Sequence, residues 1–253
     1  MKKYLSVVNA LAFSALLSTP SVHATSASSL SSFEGMEEPT VIFHVSSGSF
    51  TNDSFVNLTN VSGGFKATLR YRKNDWFDGD RNTTNSDRQR AEVKGLGAHQ
   101  NPGDTFEYQT RFTTNSGFKQ NGHFCHIFQL KALDGDNGAP LITVSLDNGG
   151  NNAGVQYCSG TQSGFTVARS FTYTAGSAKT VKVRIKTTSS TATNGIVQGS
   201  VDGDTLSGRT NIGVFRPSAT SYRPKWGFYR GVGTNDSIGD DSVTHTNVTA
   251  NKI

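Results

Sequence analysis

The strongest constraint on the fold is an alternation of apolar and polar residues with a period of two. In 65–72 an apolar residue stands at every second position, beginning with Phe65, and 105–113 repeats the pattern with aromatic residues from Phe106. Successive side chains of a strand point to opposite faces, so each segment indicates a strand with one buried face. No long stretch has the spacing of an amphipathic helix. We therefore expect an all-β chain.

Strand-like segments recur along the chain and are separated by turns rich in Gly, Asn and Asp, in keeping with 27 glycines and only 17% charged residues. They are 40–46, 54–60, 65–72, 88–95, 105–113, 122–131, 140–146, 153–158, 165–173, 180–187, 196–201, 211–215, 225–230 and 242–248. So many strands without a repeat predict a two-sheet antiparallel β-jelly roll, a concanavalin-like sandwich.

The N-terminus has the parts of a secretory signal peptide over residues 1–24. Lys2 and Lys3 precede a short apolar run, and a small-residue cleavage site ends at Ala24. A Ser-rich leader (25–32) and one domain (33–253) follow. We expect a secreted monomer, with no membrane partner because the apolar run is too short to span a bilayer.

Net charge indicates the class of binding partner, and the cysteine content raises the question of a disulfide bond. A net charge of +5 suits a polyanionic partner. The chain has no basic run or nucleic-acid motif, so we expect no nucleic-acid partner. Cys125 and Cys158 can pair in an oxidising compartment, although their spacing does not decide whether they do.

The stretch GHFCHIFQLK (122–131) predicts a strand with one apolar and one polar face. If its alternation is regular, His126 lies on the apolar core face, and Gln129 and Lys131 lie together on the other face. Such a polar face is typical of a sheet that lines a cleft, and also of an ordinary half-solvated strand.

Two further strands carry chemically useful side chains. Arg88, Arg90 and Glu92 share one face, where a guanidinium can bind a carboxylate or form a structural ion pair with Glu92. In KWGFYR (225–230), Gly227 leaves either a hollow between Lys225 and Tyr229 or a place where another backbone comes close.

Together these strands resemble those of jelly-roll polysaccharide lyases. Residues 90–93 (RAEV) are similar to the R-x-E-L strand of alginate lyases, 129–131 (QLK) to their Q-I-H strand, and 224–229 (PKWGFY) to their F-K-A-G-x-Y strand. The longer forms HIFQLK and PKWGFYRG resemble glucuronan lyases more closely. The resemblance implies β-elimination on a polyuronate, with glucuronan the first choice of substrate and alginate the second.

The resemblance also implies residue roles. Arg90 and Gln129 would neutralise the carboxylate beside the proton that leaves, and Tyr229 would protonate the leaving oxygen. Tyr229 could also accept the proton as phenolate, because nearby cations such as Lys225, Arg230 and Lys131 would lower its pKa. The residues predicted to bind the anionic polysaccharide are Arg88, Lys131, Lys225, Arg230 and Trp76.

The chain departs from the alginate lyase pattern at Lys131, where that family has histidine. His44, His99 or His123 could supply that role instead. We expect His99, in a polar loop after the Arg90 strand, to reach over the cleft; His126 is assigned to the core.

Two other functions remain open. A jelly-roll glycoside hydrolase would need paired carboxylates, and the three cleft strands hold only Glu92. A carbohydrate-binding module without catalysis would need aromatic and neutral polar groups, but not the set Arg90, Gln129 and Tyr229.

No cofactor is required for elimination, but a structural calcium ion is a further expectation. Glu34 and Asp241 carry hard oxygen ligands near the first and last strands, which often pair in jelly rolls. Plain solvated turns are the alternative.

Overall fold

Two eight-stranded antiparallel sheets pack face to face in the computed structural model of the protein. The structure describes residues 24–26, 33–37, 41–44, 56–69, 88–95, 98–119, 123–146, 152–162, 164–231 and 239–253. These residues form strands and connecting loops, which confirms the predicted all-β, two-sheet jelly roll. Among them there is no helix with the length and apolarity to cross a membrane.

The described strands are numbered in chain order. They are β1 (Ala24–Ser26), β2 (Phe33–Glu37), β3 (Val41–His44), β4 (Val56–Val61), β5 (Gly64–Leu69), β6 (Arg88–Gly95), β7 (Thr105–Thr114), β8 (Cys125–Ala132), β9 (Ile142–Leu146), β10 (Asn152–Tyr157), β11 (Thr166–Thr172), β12 (Lys179–Lys186), β13 (Gly195–Val201), β14 (Ser207–Ile212), β15 (Tyr222–Gly231) and β16 (Asp241–Lys252).

The front sheet has the order β11-β10-β9-β8-β15-β6-β2-β3, and the back sheet has the order β14-β13-β12-β7-β16-β5-β4, with β1 also paired to β16. The three strands singled out from the sequence, β6, β8 and β15, are therefore neighbours in the front sheet. We call the side of the front sheet that is turned away from the back sheet its outer face.

The core lies between the sheets and is rich in aromatic residues. Tyr108 of β7 meets Phe128 of β8 and Trp226 of β15, with ring centroids 5.4 and 6.2 Å away. The Tyr108 hydroxyl donates a hydrogen bond of 3.0 Å to Gln100 Oε1, which satisfies the one polar atom of this buried side chain. Burial of each such ring contributes about 2–3 kcal/mol.

The strand bounds differ from the expected ones mainly at the chain's beginning and near residue 211. In place of the predicted strand 211–215 there is β14, which ends at Ile212. Asn211 has φ 55° and forms a bulge in it opposite β13. Strand β1 pairs with β16, and the predicted cleavage point after Ala24 falls inside it.

Register shifts accumulate across the front sheet. They occur between β15 and β8, between β8 and β9, and between β10 and β11. Each extra residue bends its strand and increases the local twist. One of these shifts, in β8, decides which residues reach the outer face.

Candidate active site

Strands β6 and β15 pair in an unbroken register, and this register brings a phenol between two cations. Tyr229 lies opposite Arg90, and Gly231 lies opposite Arg88. The guanidinium carbon of Arg90 is 4.7 Å from the centre of the Tyr229 ring. Arg88 Nη1 donates a hydrogen bond of 3.4 Å to the Tyr229 hydroxyl.

Burial sets the protonation state of Tyr229. Loss of hydration raises the pKa of the phenol above its ordinary value of 10.0, although Arg90 and Arg88 both act to lower it. The prediction that nearby cations give this tyrosine a lowered pKa is therefore wrong. At neutral pH the Tyr229 hydroxyl keeps its proton and can donate it.

Glu92 is the acidic centre of the site. Its carboxylate accepts a hydrogen bond from Gln129 Nε2 and lies 3.9 Å from Lys225 Nζ. All three side chains are buried. Because burial destabilises the ammonium ion more than Glu92 stabilises it, the pKa of Lys225 falls from 10.5 to about 8. The contact with Glu92 also orients the Gln129 amide, whose nitrogen carries a second N–H for a ligand.

Gly227 marks a close approach between backbones, one of the two alternatives that the sequence left open. It has φ 152°, and a Cβ atom there would lie 2.2 Å from the carbonyl oxygen of Ala91. The Gly227 carbonyl accepts a hydrogen bond of 2.9 Å from His245 Nε2 on β16. The front sheet is thus linked to the back sheet two residues before Tyr229.

A β-bulge in β8 places His126 on the outer face. Relative to β9, the step from His126 to Phe128 spans two residues in β8 but only one in β9. Ile127 and Phe128 are both in the core, so His126 shares a face with Gln129 at a spacing of three. The assignment of His126 to the core is wrong, because it assumed a regular strand.

His126 is held at the centre of a polar and aromatic cluster. Its Nδ1 is 2.8 Å from Ser145 Oγ, and its ring centroid is 5.9 Å from that of Tyr229. Phe124 stacks on the imidazole, with ring centroids 4.9 Å apart. Burial lowers the pKa of His126 from 6.5 to about 3, so the imidazole is neutral at ordinary pH.

The remaining predicted site residues are distributed unevenly. Lys131, half-buried, lies two residues beyond Gln129 on β8, opposite Arg223 of β15. His99 is exposed and precedes the bridge between Gln100 and Tyr222 at the far end of β15, roughly 20 Å of strand from Tyr229. The structure thus does not bring His99 to the site. Trp76 lies outside the described residues.

Arg230 is not on the outer face, and the prediction that it binds substrate is wrong. It is 1% exposed. Its Nη1 donates a hydrogen bond of 2.8 Å to Asp241 Oδ2, and its Nε donates one of 3.0 Å to Gln89 Oε1. Since Tyr229 points outward, the next residue along β15 points into the sandwich. Arg230 is therefore a buried structural cation that joins β15 to β16.

The predicted calcium site at Glu34 and Asp241 stays a prediction, because the structure describes only one of the two side chains. Asp241 begins β16 in the back sheet, and both of its carboxylate oxygens are engaged, by Arg230 and by Asn115. Glu34 belongs to β2 in the front sheet, and its side chain lies outside what the structure describes. Within the described ranges, no three acidic, histidine or cysteine side chains are grouped to hold a metal ion.

Cys125 and Cys158, both described, form no disulfide bond. Cys125 lies opposite Arg230 in the pairing of β8 with β15. The Cys158 thiol donates to the carbonyl oxygen of Gln162 at 2.8 Å and accepts a hydrogen bond from Arg216. Each thiol thus has its own surroundings, so the pairing alternative is wrong.

The arrangement supplies the groups that an elimination beside a carboxylate requires. Arg90 and Gln129 are a cationic and a neutral donor on β6 and β8, the two strands that flank β15, and Tyr229 is a protonated phenol. His126 adds a neutral imidazole on the same face. Sequence reasoning missed His126 and its neighbour Phe124, because nothing in the alternation of β8 reveals the bulge.

Comparison with known proteins identifies the fold but finds no close relative in sequence. No family profile matches the chain, and no curated protein matches it. Three solved structures illustrate the likeness. An endo-β-1,4-glucuronan lyase from Trichoderma reesei is 18% identical, with a TM-score of 0.59 over 80% of this chain and 88% of that one.

The other two are alginate lyases. AlgAT5, of polysaccharide lyase family 7, is 14% identical, with a TM-score of 0.58 over 88% of this chain and 95% of that one. A variant of a family 7 alginate lyase in complex with substrate is 16% identical, with a TM-score of 0.60 over 88% and 93%. The chain therefore has the β-jelly-roll fold found in glucuronan lyase and the family 7 alginate lyases.

Proposed function

We propose that this protein is a secreted polysaccharide lyase that cleaves a polyuronate by β-elimination, with glucuronan as its preferred substrate. One observation carries the proposal: Arg90, Gln129 and Tyr229 meet on the outer face of three adjacent strands. The chain has the fold of a glucuronan lyase and of alginate lyases.

The mechanism begins with the carboxylate of the sugar that loses its proton. Arg90 and Gln129 bind this carboxylate, which makes the proton on the neighbouring C5 more acidic and stabilises the enolate-like intermediate. The Glu92 contact keeps the Gln129 amide in position for this role. Lys131 and Lys225 add positive charge around the anionic polymer.

Two groups then share the proton transfers. The C5–H bond breaks as His126 accepts the proton, a double bond forms between C4 and C5, and the C4–O4 bond breaks. Tyr229 donates its proton to O4, consistent with its raised pKa. His126 is unprotonated before the substrate arrives, and the bound anion favours its imidazolium form. Proton exchange with water restores both groups.

The test is the ultraviolet absorbance of mature protein mixed separately with glucuronan, polymannuronate, polyguluronate and a neutral β-glucan. Elimination leaves a double bond conjugated to the carboxylate, which absorbs, whereas hydrolysis does not. We expect a rise with glucuronan. A rise on an alginate block alone would replace glucuronan with alginate as the substrate.

Two results would reject a lyase. Reducing ends without absorbance would indicate a hydrolase, and binding without cleavage would indicate a carbohydrate-binding module. Secretion is tested separately by sequencing the N-terminus of the exported protein, which we expect to begin at Thr25.

A further inference from the structure

Phe124 is a large apolar side chain exposed beside the candidate active site. It is 38% exposed and is the only aromatic residue among the exposed large hydrophobic side chains of the described ranges. A ligand that covered this phenyl ring would remove apolar surface from water, which is favourable. The position of this ring, rather than its exposure alone, suggests what that ligand is.

The ring is fixed from three sides. It stacks on His126 with centroids 4.9 Å apart and an angle of 22°, and it meets the edge of Tyr229 at 4.8 Å. It also fills the space left by Gly231, where a Cβ atom would lie 3.1 Å from two of its ring carbons. The Phe124 backbone oxygen accepts a hydrogen bond of 2.8 Å from the Gly231 nitrogen. A ring held in this way is preorganised for stacking.

The outer face changes in character along β8. Lys131 and Gln129 form a polar, cationic end, His126 stands in the middle, and Phe124 forms an aromatic end. A uronate sugar has the matching asymmetry: its carboxylate is anionic, while the C–H groups on its ring faces are apolar.

We propose that Phe124 is a stacking platform for the sugar ring next to the cleaved bond, and that it favours glucuronan over guluronan. This inference rests on the proposed function. In β-1,4-glucuronan all ring substituents are equatorial, so both faces of each ring carry axial hydrogens and lie flat on an aromatic ring. Guluronan joins its rings through axial oxygens, which hold a ring away from a flat platform.

The first experiment compares Phe124→Leu and Phe124→Tyr by steady-state kinetics on glucuronan. We expect Phe124→Leu to raise KM about tenfold, the loss typical of one aromatic contact, with a smaller change in kcat. Phe124→Tyr, which keeps the ring, should retain the wild-type KM. The matched control is Ile253→Ala, since Ile253 is exposed on the back-sheet side, where its backbone nitrogen bonds Thr105. It should change neither constant.

A second experiment measures binding alone, in variants that lack the proposed proton donor Tyr229. Calorimetry of glucuronan oligosaccharides with Tyr229→Phe and with the double variant Tyr229→Phe/Phe124→Leu should show about tenfold weaker binding in the double variant. For guluronan oligosaccharides, we expect the two proteins to bind equally. Equal glucuronan binding by both proteins, with unchanged unfolding temperatures, would overturn the proposal for Phe124.

The two proposals fail in different ways. If the wild-type protein releases no unsaturated product from any polyuronate, the lyase proposal fails, and the calorimetry still decides whether Phe124 contacts sugar. If the wild-type protein is an active lyase and Phe124→Leu has the wild-type KM, only the proposal that Phe124 is a stacking platform is rejected.

Discussion

Tyr229 and Arg90 face each other across β15 and β6, with the guanidinium carbon 4.7 Å from the ring centre. Tyr229→Phe keeps the ring that Arg90 covers and removes only the hydroxyl. We expect at least about a hundredfold loss of unsaturated product, the usual contribution of a general acid. The unfolding temperature should change little, because the hydroxyl's contact with Arg88 is long, at 3.4 Å. Near-normal turnover would remove Tyr229 from the mechanism.

Arg90→Lys tests whether the site needs a guanidinium fork or only a positive charge. An ammonium ion cannot bind a carboxylate through two parallel hydrogen bonds, so we expect kcat/KM to fall about a hundredfold. Arg184→Lys is the matched control, because Arg184 bonds Glu107 on the back sheet and lies away from the site. Equal activity of the two variants would contradict the proposed role of Arg90.

His126→Gln preserves a polar side chain but removes the imidazole that we propose accepts the C5 proton. We expect kcat to fall about a hundredfold or more, while the affinity for glucuronan oligosaccharides stays near the wild-type value. His99→Gln should be almost neutral, because His99 lies at the far end of β15. The opposite ranking of the two variants would restore His99 as the catalytic histidine.

The lowered pKa of Lys225 predicts that substrate binding depends on pH. Its pKa is lowered to about 8 by burial and by the charges of Lys131, Arg90 and Arg223, against the opposing effect of Glu92. The ammonium ion is therefore lost as the pH rises through about 8, and KM should increase above that pH. Lys225→Met should have a higher KM and lack this step. An identical pH profile in the variant would exclude Lys225 as its origin.

The lowered pKa of Lys225 has the opposite effect on stability: a rise in pH that weakens substrate binding favours the folded state. The unfolded chain binds the Lys225 proton up to pH about 10.5, whereas the folded chain releases it near 8. The unfavourable burial of the charge therefore disappears as the pH rises from 8 to 10.5. Urea unfolding over this range should show a smaller alkaline loss of stability in wild-type protein than in Lys225→Met.

The buried pair of Arg230 and Asp241 predicts a stability effect without a binding effect. Both side chains are almost fully inaccessible, so Arg230→Met leaves a buried carboxylate unpaired and should cost about 3–5 kcal/mol in the free energy of unfolding. Arg230→Met/Asp241→Leu should recover much of that loss. At a temperature where the double variant is folded, we expect wild-type KM; a large increase would show that Arg230 does serve the substrate.

The sequence predicts which side chains share a face of the site where the strands are regular, and it fails to do so where they are not. The alternation in β6 and β15 correctly groups Arg90 with Glu92 and Lys225 with Tyr229, because these two strands pair without a shift. In β8 the extra residue reverses the faces before Phe128. That shift depends on pairing with β9 and β15, which lie far along the chain, so no local pattern shows it.

Two other predictions, the place of Arg230 and the pKa of Tyr229, are wrong because they rest on charge alone. The positive charge of Arg230 predicts a place in the site, although its position next to Tyr229 places it on the inner face. The cations Lys225, Arg230 and Lys131 predict a lowered pKa for the Tyr229 phenol, yet burial raises that pKa. Burial arises from the packing of the whole sandwich, which a list of neighbouring residues does not contain.

The hydrogen bond from His245 to the Gly227 carbonyl makes the back sheet part of the active-site geometry. Thr110 of β7 holds the other nitrogen of the same imidazole, at 3.0 Å. The position of the phenol that we propose as proton donor therefore depends, through one buried imidazole, on the back sheet, whereas the candidate site lies on the front sheet. We therefore expect substitutions that repack the sandwich around β7 and β16 to change turnover, although both strands belong to the sheet that does not carry the candidate site.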